Sequence, residues 1–251
     1  MTESTVRIAL VFPELLGTYG DSGNAVVLRQ RCRWRGIDAE IVPVAVDEPV
    51  PSGCDIYVLG GGEDAPQTLA TERLVAHDFA SVAARGAVVF AVCAGFQILG
   101  TSFTGADGAV QPGLGVVDCV TRPKGSRMIG EVVVQPGRAG LPWLTGFENH
   151  GGITELGPGE TPLGTVVAGH GNGTGGVEGV VSGRVVGTYL HGPALARNPA
   201  LADLLLSWVV GALEPLDDGV VEGLRRERFA AVLGRRARQV PAGGTIDFSS
   251  M

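Results

Sequence analysis

One cysteine, Cys93, stands in the segment GAVVFAVCAGFQILG (residues 86–100), where an apolar run stops and a short helix is expected to begin. Small residues flank it, with Ala91 two positions before and Gly95 two positions after. This pattern is typical of a nucleophile elbow, a sharp strand-to-helix turn that raises a reactive atom above a sheet edge. The N-terminus of the helix favours a thiolate over a thiol. The segment therefore predicts a nucleophile, and the alternative is a buried cysteine that packs as a small apolar residue.

A cysteine nucleophile needs a base, and the chain contains four histidines. His191 ends the apolar segment VVGTYLHGP, at the kind of strand end where functional loops are expected, so it is the predicted base. His77 lies on the polar side of a helical pattern and is interpreted as solvated, and His170 lies in a glycine-rich loop. His150, in FENHGG, either binds a ligand or holds a turn.

The oxyanion that forms when a thiolate attacks a carbonyl group needs backbone N–H donors. Ala94 follows Cys93 directly, at the start of the expected helix. A second apolar strand, DIYVLGGG (residues 55–62), ends in three glycines. We therefore expect an oxyanion hole formed by Ala94 and by Gly61, with Gly62 as the alternative to Gly61.

Composition narrows the choice of partners and cofactors. The chain has 251 residues with 19 Lys and Arg against 26 Asp and Glu, a net charge of −7, which gives no electrostatic indication of nucleic acid or an anionic membrane. Lys124 is the only lysine, and its surroundings lack the GxxxxGK[ST] pattern, so no ATP-binding loop is predicted. The four cysteines form no CxxC pair, so neither a metal site nor a disulfide framework is expected.

The longest strongly apolar run, residues 87–100, is shorter than the roughly 20 residues that a membrane-spanning helix needs. The first residues, MTESTVRIALVF, place no basic region before the apolar ones, so no signal peptide is predicted. These two features favour a cytoplasmic protein.

Apolar strands alternate with helical patterns from residue 7 to about residue 101, which predicts a parallel sheet covered by helices, with ligands at the carboxyl ends of the strands. One helix is expected over residues 24–35 and another from Asp64 to residue 86. The second half contains short β-rich segments, which we interpret as an antiparallel part added to the sheet. It includes a hairpin that turns at Ser182–Gly183 and two helices, over residues 198–210 and about 219–234. We expect a single domain over residues 1–240 and a polar tail over residues 241–251.

Two segments together, VFAVCAGFQILG and the later VVGTYLHGP, resemble class I glutamine amidotransferases, in which an elbow cysteine and a histidine at a later strand end hydrolyse glutamine. The resemblance implies a flavodoxin-like α/β fold with helices on both faces, Cys93 as nucleophile and His191 as base. It also implies that Arg127, in RPKGSRMIGE, holds the carboxylate of glutamine, a role suited to a guanidinium group, although a surface arginine is the alternative. Gln97 either contacts glutamine or simply begins the helix.

The motifs YGDSGN, LGGGEDAPQ and GFENHGG narrow the resemblance to the cobyric-acid-synthase-like branch, and within it to the GatD group. Members of that group are the glutaminase subunits of lipid II isoglutaminyl synthase and pair with MurT, a Mur-ligase-like synthetase subunit. The resemblance thus implies a heterodimer in which ATP and Mg²⁺ belong to the partner, which amidates the α-carboxyl of D-Glu in the stem peptide. Two alternatives stay open: a subunit that serves another synthetase, such as one with a cobyrinate-type acceptor, and a non-catalytic DJ-1-like binding module.

One position departs from the family pattern. Many class I enzymes have a Glu two residues after the histidine, where this chain has Pro193. The resemblance to the GatD group implies that the partner supplies an aspartate instead, which predicts a weak glutaminase in the absence of the partner. The basic segment RRERFAAVLGRRARQ (residues 225–239) is either a solvated helix end or a docking surface.

Overall fold

The chain forms two β-sheets and seven helices over residues 5–105, 107–138 and 140–234, which are the residues that the computed structural model describes. The strands are β1 (Val6–Val11), β2 (Ala39–Val44), β3 (Ile56–Leu59), β4 (Val88–Val92), β5 (Ser102–Thr104), β6 (Val110–Pro112), β7 (Cys119–Pro136), β8 (Leu144–Leu156), β9 (Gly164–Ala168), β10 (Val177–Glu178), β11 (Val180–Ser182) and β12 (Val185–Thr188). The helices are α1 (Gly23–Trp34), α2 (Asp64–Ala76), α3 (Phe79–Ala84), α4 (Ala94–Leu99), α5 (Ala194–Arg197), α6 (Pro199–Val210) and α7 (Gly219–Leu233).

The first sheet has the strand order β11-β12-β4-β3-β1-β2, and every pairing in it except β11 with β12 is parallel. All residues of β3 and β4 are buried, as expected for central strands covered on both faces. Helices α1, α5 and α6 pack on one another, and α2 packs on α3 and α4. The predicted helix-covered parallel sheet is confirmed.

The interpretation of the second half as part of the same sheet is wrong for most of its strands. They form a second sheet with the order β10-β9-β7-β5-β6, and β8 also pairs with β7. Strands β7 and β8 have 18 and 13 residues and pair with each other along most of β8. The parallel strands of the first sheet are shorter, with four to six residues each. Only the β11–β12 hairpin joins the first sheet, and its loop is Gly183–Arg184.

The helix expected from Asp64 to residue 86 is two helices. Asp78 adopts a left-handed conformation with φ 51°, which ends α2 and lets α3 begin at Phe79. Phe79, at the start of α3, is fully buried, whereas Val75, near the end of α2, is 57% exposed. By contrast, α1, α6 and α7 match the expected helices within about one residue.

The strand order determines where the functional residues meet. Because β1, β3, β4 and β12 are neighbouring parallel strands, their carboxyl ends lie along one edge of the sheet.

Within the described ranges, no helix is both long enough and apolar enough to cross a membrane. The tail expected over residues 241–251 lies outside the described residues, as does the end of the basic segment beyond residue 234.

Candidate active site

Cys93 joins strand β4 to helix α4 through a strained backbone. Its φ of 52° and ψ of −109° lie in a region that residues with a side chain rarely adopt. The Cys93 N–H donates to the Thr188 carbonyl at the end of β12. Two residues later, the Gly95 N–H donates to the Gly60 carbonyl just after β3. The elbow is therefore held from two neighbouring strand ends, as the sequence pattern predicts.

The other three cysteines lie in the core and differ from Cys93 in their surroundings. Burial raises the pKa of Cys32 to about 11 and that of Cys119 to about 12, and it also raises the pKa of Cys54. These thiols stay protonated near neutral pH, and none of them lines the cavity in which Cys93 lies. Of the four cysteines, Cys93 is the one that lines this cavity.

His191 is fully buried and makes an ion pair with Asp21, a residue of the loop that follows β1. The distance from His191 Nδ1 to Asp21 Oδ2 is 2.9 Å. Among the described residues His191 Nε2 has no hydrogen-bond partner, so this atom is free to exchange a proton with Cys93 or with a substrate. Asp21 thus lies, within this chain, at the imidazole nitrogen where a carboxylate from the partner was expected from the sequence.

The three side chains converge on Gly61, at the end of β3. A Cβ atom at this glycine would lie 2.8 Å from His191 Cε1, 3.1 Å from Asp21 Oδ2 and 3.4 Å from Cys93 Cβ. Any side chain there would push the histidine away from the cysteine, so the site needs glycine at this position. Cysteine, histidine and aspartate thus form a compact triad around one backbone position.

The N–H group of Gly61 is not available for an oxyanion. It donates to Asp21 Oδ2 at 2.8 Å and so helps to hold the carboxylate that orients His191. The expected role of Gly61 in the oxyanion hole is therefore wrong. Ala94 is the first residue of α4, where an N–H has no partner within the helix, and Gly62 lines the same cavity, so these two are the better pair of donors.

The electrostatics of His191 favour its charged form. Burial alone lowers the pKa of the imidazole, but the Asp21 carboxylate and the nearby Cys93 outweigh this effect and raise it to about 10. At neutral pH His191 is therefore an imidazolium ion. A protonated histidine next to the elbow cysteine can act as a general acid toward a substrate bound there.

A cavity of about 340 Å³ opens over Cys93, large enough for an amino acid. Arg127 lies at its wall, where Nε donates to Asn149 Oδ1 at 2.9 Å and Nη2 donates to the Asn149 carbonyl at 3.3 Å. The Asn149 side chain in turn donates to the Tyr19 hydroxyl at 2.5 Å. Tyr19 packs edge-on against the His191 ring, with centroids 5.0 Å apart. Arg127 is thus linked to His191 through Asn149 and Tyr19.

Gln97 also lines the cavity, and its amide group bonds to two neighbouring side chains. Its Oε1 accepts a hydrogen bond from Gln67 at 3.0 Å, and its Nε2 donates to the Tyr189 hydroxyl at 3.1 Å. His150 is buried, lines the same cavity and stacks on Tyr189, with the ring centroids 3.8 Å apart. Gln97 and His150 therefore shape the cavity. His170 lies outside it and donates to or accepts from the buried Glu148.

Asp21, Tyr19 and Asn149 were not identified as site residues from the sequence. The signal for Asp21 was present, because the loop YGDSGN follows β1 and therefore lies at the same sheet edge as Gly61 and Cys93. What the sequence did not reveal is that β1 and β3 are adjacent, which brings the two loops together. Asn149 lies in a long strand of the second sheet, within the segment FENHGG, in which only His150 was considered as a ligand-binding residue from the sequence.

Comparisons with known proteins agree with this geometry. A sequence profile of the CobB/CobQ-like glutamine amidotransferase domain matches residues 7–199. The "Lipid II isoglutaminyl synthase (glutamine-hydrolyzing) subunit GatD" of Staphylococcus aureus is 37% identical over 195 residues, which are 76% of this chain and 79% of that protein. The subunit of the same name from Streptococcus pneumoniae is 35% identical and covers 80% of this chain and 79% of its own length.

A more distant relative is the cobyric acid synthase of Sphingopyxis alaskensis, 31% identical over 77% of this chain but only 40% of that protein. Among solved structures, a glutamine amidotransferase from Thermotoga maritima superposes with a TM-score of 0.50 at 17% identity and covers 92% of this chain and 99% of that chain. That similarity shows a common fold. With the profile matching most of its length, the chain belongs to the CobB/CobQ-like glutamine amidotransferase family.

Proposed function

We propose that this chain is the glutaminase subunit of a lipid II isoglutaminyl synthase. In this proposal it hydrolyses glutamine at Cys93 and passes ammonia to a Mur-ligase-like partner of the MurT type. The observation that carries the proposal is the similarity to two GatD subunits, which extends over more than three quarters of this chain and of each relative. The paired Asp21 and His191 beside Cys93 supply the chemistry that such a subunit requires.

The proposed reaction begins with attack of the Cys93 thiolate on the carboxamide carbon of glutamine. The N–H groups of Ala94 and Gly62 stabilise the oxyanion, and His191 gives its Nε2 proton to the leaving nitrogen, which departs as ammonia. A γ-glutamyl thioester remains. His191, now neutral, accepts a proton from a water molecule that attacks the thioester, and glutamate leaves as the thiolate is restored.

In the same proposal the partner supplies the remaining chemistry. It binds ATP and Mg²⁺, activates the α-carboxyl of D-Glu in the stem peptide of lipid II, and receives the ammonia to form D-isoglutamine. Arg127 of this chain binds the glutamine carboxylate from the cavity wall. A cytoplasmic heterodimer is part of the proposal.

A second candidate function is an amidotransferase subunit for a cobyrinate-type acceptor, because cobyric acid synthases match the same part of the chain. The share of each relative's length that aligns with this chain favours the first function. It is 40% for the Sphingopyxis protein and 79% for each GatD subunit. A non-catalytic binding module is disfavoured, because it would have no need for a buried His–Asp ion pair next to the cysteine.

The test uses the chain together with a Mur-ligase-like subunit, ATP, Mg²⁺ and glutamine labelled with heavy nitrogen in its amide group. We expect the label to enter lipid II and not cobyrinate. With Cys93→Ala the label should stay in glutamine, whereas added ammonium should still allow the partner to amidate lipid II. Labelled lipid II formed by the Cys93→Ala complex would refute the proposed nucleophile, and label found only in cobyrinate would favour the second function.

A further inference from the structure

Glu178 is a buried carboxyl group that the proposed mechanism does not use. Its side chain is inaccessible to solvent, and among the described residues Oε2 has no hydrogen-bond partner. Oε1 accepts two hydrogen bonds, from the Thr188 hydroxyl at 2.9 Å and from the Tyr189 N–H at 2.7 Å. Burial raises the pKa of Glu178 to about 7 despite these two bonds. A buried carboxyl with an unpartnered oxygen costs stability, so its presence requires an explanation.

Thr188 connects Glu178 to both members of the catalytic pair. Its carbonyl accepts the Cys93 N–H at 2.8 Å, which fixes the elbow to the end of β12. Its hydroxyl donates to Glu178 and accepts the Leu190 N–H at 3.1 Å, one residue before His191. A single carboxylate oxygen therefore holds Thr188 and Tyr189 directly, and Thr188 in turn bonds to the N–H groups of Leu190 and Cys93.

Glu178 is itself held at the point where the chain passes from the second sheet to the first. It ends β10, and Gly179 follows in a left-handed conformation with φ 59° before β11 begins. A Cβ at Gly179 would lie 2.4 Å from the Gly187 carbonyl of β12. The buried Asn172 side chain bonds both the N–H and the carbonyl of Gly179, at 2.7 and 3.2 Å. The carboxyl group thus has little freedom to move away from Thr188.

We infer that Glu178 is a positioning residue that fixes the end of β12 and, through it, the placement of His191 relative to Cys93. The inference rests on the proposed glutaminase activity, which it deepens by adding a residue that acts through Thr188 and Tyr189. His191 has a second attachment, because its N–H and carbonyl pair with Phe147 in β8 at 2.9 and 3.1 Å. Loss of the Glu178 contacts therefore shifts the histidine without releasing it.

The first test compares Glu178→Ala with Glu178→Gln. Glutamine keeps a carbonyl oxygen that can accept both hydrogen bonds, so it should retain most of the activity, whereas alanine should lower kcat about 10- to 100-fold with KM changed less than about twofold. Asp203→Asn is the matched control. It weakens an ion pair with Arg31 and Arg35, none of whose members lines the cavity, so it should cost stability and leave kcat unchanged.

A second readout does not depend on glutamine. The rate at which iodoacetamide alkylates Cys93 reports the thiolate beside His191, and it should fall in Glu178→Ala but not in Glu178→Gln or Asp203→Asn. If the wild-type chain does not hydrolyse glutamine, the proposed function fails, yet this rate still decides the positioning role. Equal kcat and equal alkylation rates in Glu178→Ala and the wild type would overturn the inference, as would a Glu178→Gln variant as impaired as alanine.

A second pair of variants covers the case in which Glu178→Ala does not fold. Thr188→Val is similar in shape and removes the hydroxyl group that joins Glu178 to the Leu190 N–H, and Thr188→Ser keeps that hydroxyl. We expect Thr188→Val to lower kcat with little change in KM and Thr188→Ser to stay close to the wild type. The same kcat in both threonine variants would mean that the bond to Glu178 does not position the site.

Discussion

At the residue scale, one carboxylate oxygen, Asp21 Oδ2, holds the imidazole of His191 in place. Asp21 Oδ2 accepts both from Gly61 N–H, at 2.8 Å, and from His191 Nδ1, at 2.9 Å. The Gly61 N–H, which was assigned to the oxyanion hole from the sequence, thereby holds the aspartate instead. This arrangement fixes the tautomer and the orientation of the histidine from within the chain, the role that an orienting carboxylate has in other triads.

Arg127 is the residue whose role depends most on the substrate. Its guanidinium group is already directed by Asn149 at the cavity wall, but its side chain is exposed, so water weakens the attraction to a carboxylate. We predict that Arg127→Ala raises the KM for glutamine about 10-fold and changes kcat little. Steady-state kinetics would check this.

Lys124→Ala provides the control for Arg127, because Lys124 is a cation on the same segment that does not line the cavity. It should leave the KM for glutamine unchanged. If both variants, or neither of them, raise KM, Arg127 has no specific role in binding the substrate.

At the scale of elements, the elbow depends on close packing between α4 and the end of β3. A Cβ on Gly95 would lie 2.8 Å from Leu59 Cβ and 2.9 Å from the Gly60 carbonyl. The helix therefore approaches the strand end at a distance that only glycine allows. This contact also sets the direction of the helix N-terminus toward the cavity.

We predict that Gly95→Ala destabilises the protein by roughly 1–3 kcal/mol, because overpacking forces α4 away from β3. The alkylation rate of Cys93 should fall with it. Gly223 in α7 is the matched control: an added Cβ there has space, so Gly223→Ala should stabilise the exposed helix by up to about 1 kcal/mol. Thermal unfolding and alkylation of both variants test this; an unchanged alkylation rate in Gly95→Ala would contradict the packing argument.

The elements show which parts of the fold were accessible to sequence reasoning. The parallel sheet and the elbow were predictable because their signals are local: apolar runs, glycines at strand ends and periodic helices. The break at Asp78 was missed because the apolar pattern of α2 and α3 is continuous across it. The second sheet was missed because pairing partners such as β7 and β8 are chosen by contacts that no single segment encodes.

The site was predictable to a similar degree. Cys93 and His191 lie at the ends of recognisable strands, so residue type and position were enough to identify them. Asp21 contacts His191, 170 residues away in the chain, and Glu178 contacts Thr188, 10 residues away. Both contacts depend on the order of the strands. Gly61 was assigned to the oxyanion hole because it lies in a run of glycines at the end of an apolar strand, and only the Asp21 contact shows that its N–H is occupied.

At the scale of the whole molecule, two buried groups link folding stability to pH. The folded-state pKa of His191, about 10, lies above its ordinary value of 6.5, so the stabilisation by its ion pair is fully present below about pH 6.5 and is lost as pH rises through 10. The folded-state pKa of Glu178, about 7, lies above 4.5, so stability also falls as pH rises from 4.5 through 7 and the buried carboxyl ionises.

We therefore predict different pH profiles for two variants in the free energy of unfolding, measured by chemical denaturation. Glu178→Gln should be more stable than the wild type above pH 7, and the difference should shrink toward pH 4.5. Asp21→Asn should be less stable than the wild type near pH 6.5, with a difference that narrows as pH approaches 10. Differences that do not vary with pH would show that these groups do not titrate as described.

The measurement that tests the central claim most directly is the glutaminase rate of the isolated chain, as the wild type, as Asp21→Asn and as the control Asp203→Asn. The account predicts that the wild-type chain releases ammonia from glutamine without a partner. Asp21→Asn should lower kcat by about 10²-fold, less than the roughly 10⁴-fold loss in a serine protease, because a cysteine thiolate depends less on its orienting carboxylate. Asp203→Asn should keep the wild-type kcat. An unchanged kcat in Asp21→Asn, or a glutaminase rate that exists only with a second chain and does not depend on Asp21, would contradict a triad contained within this chain.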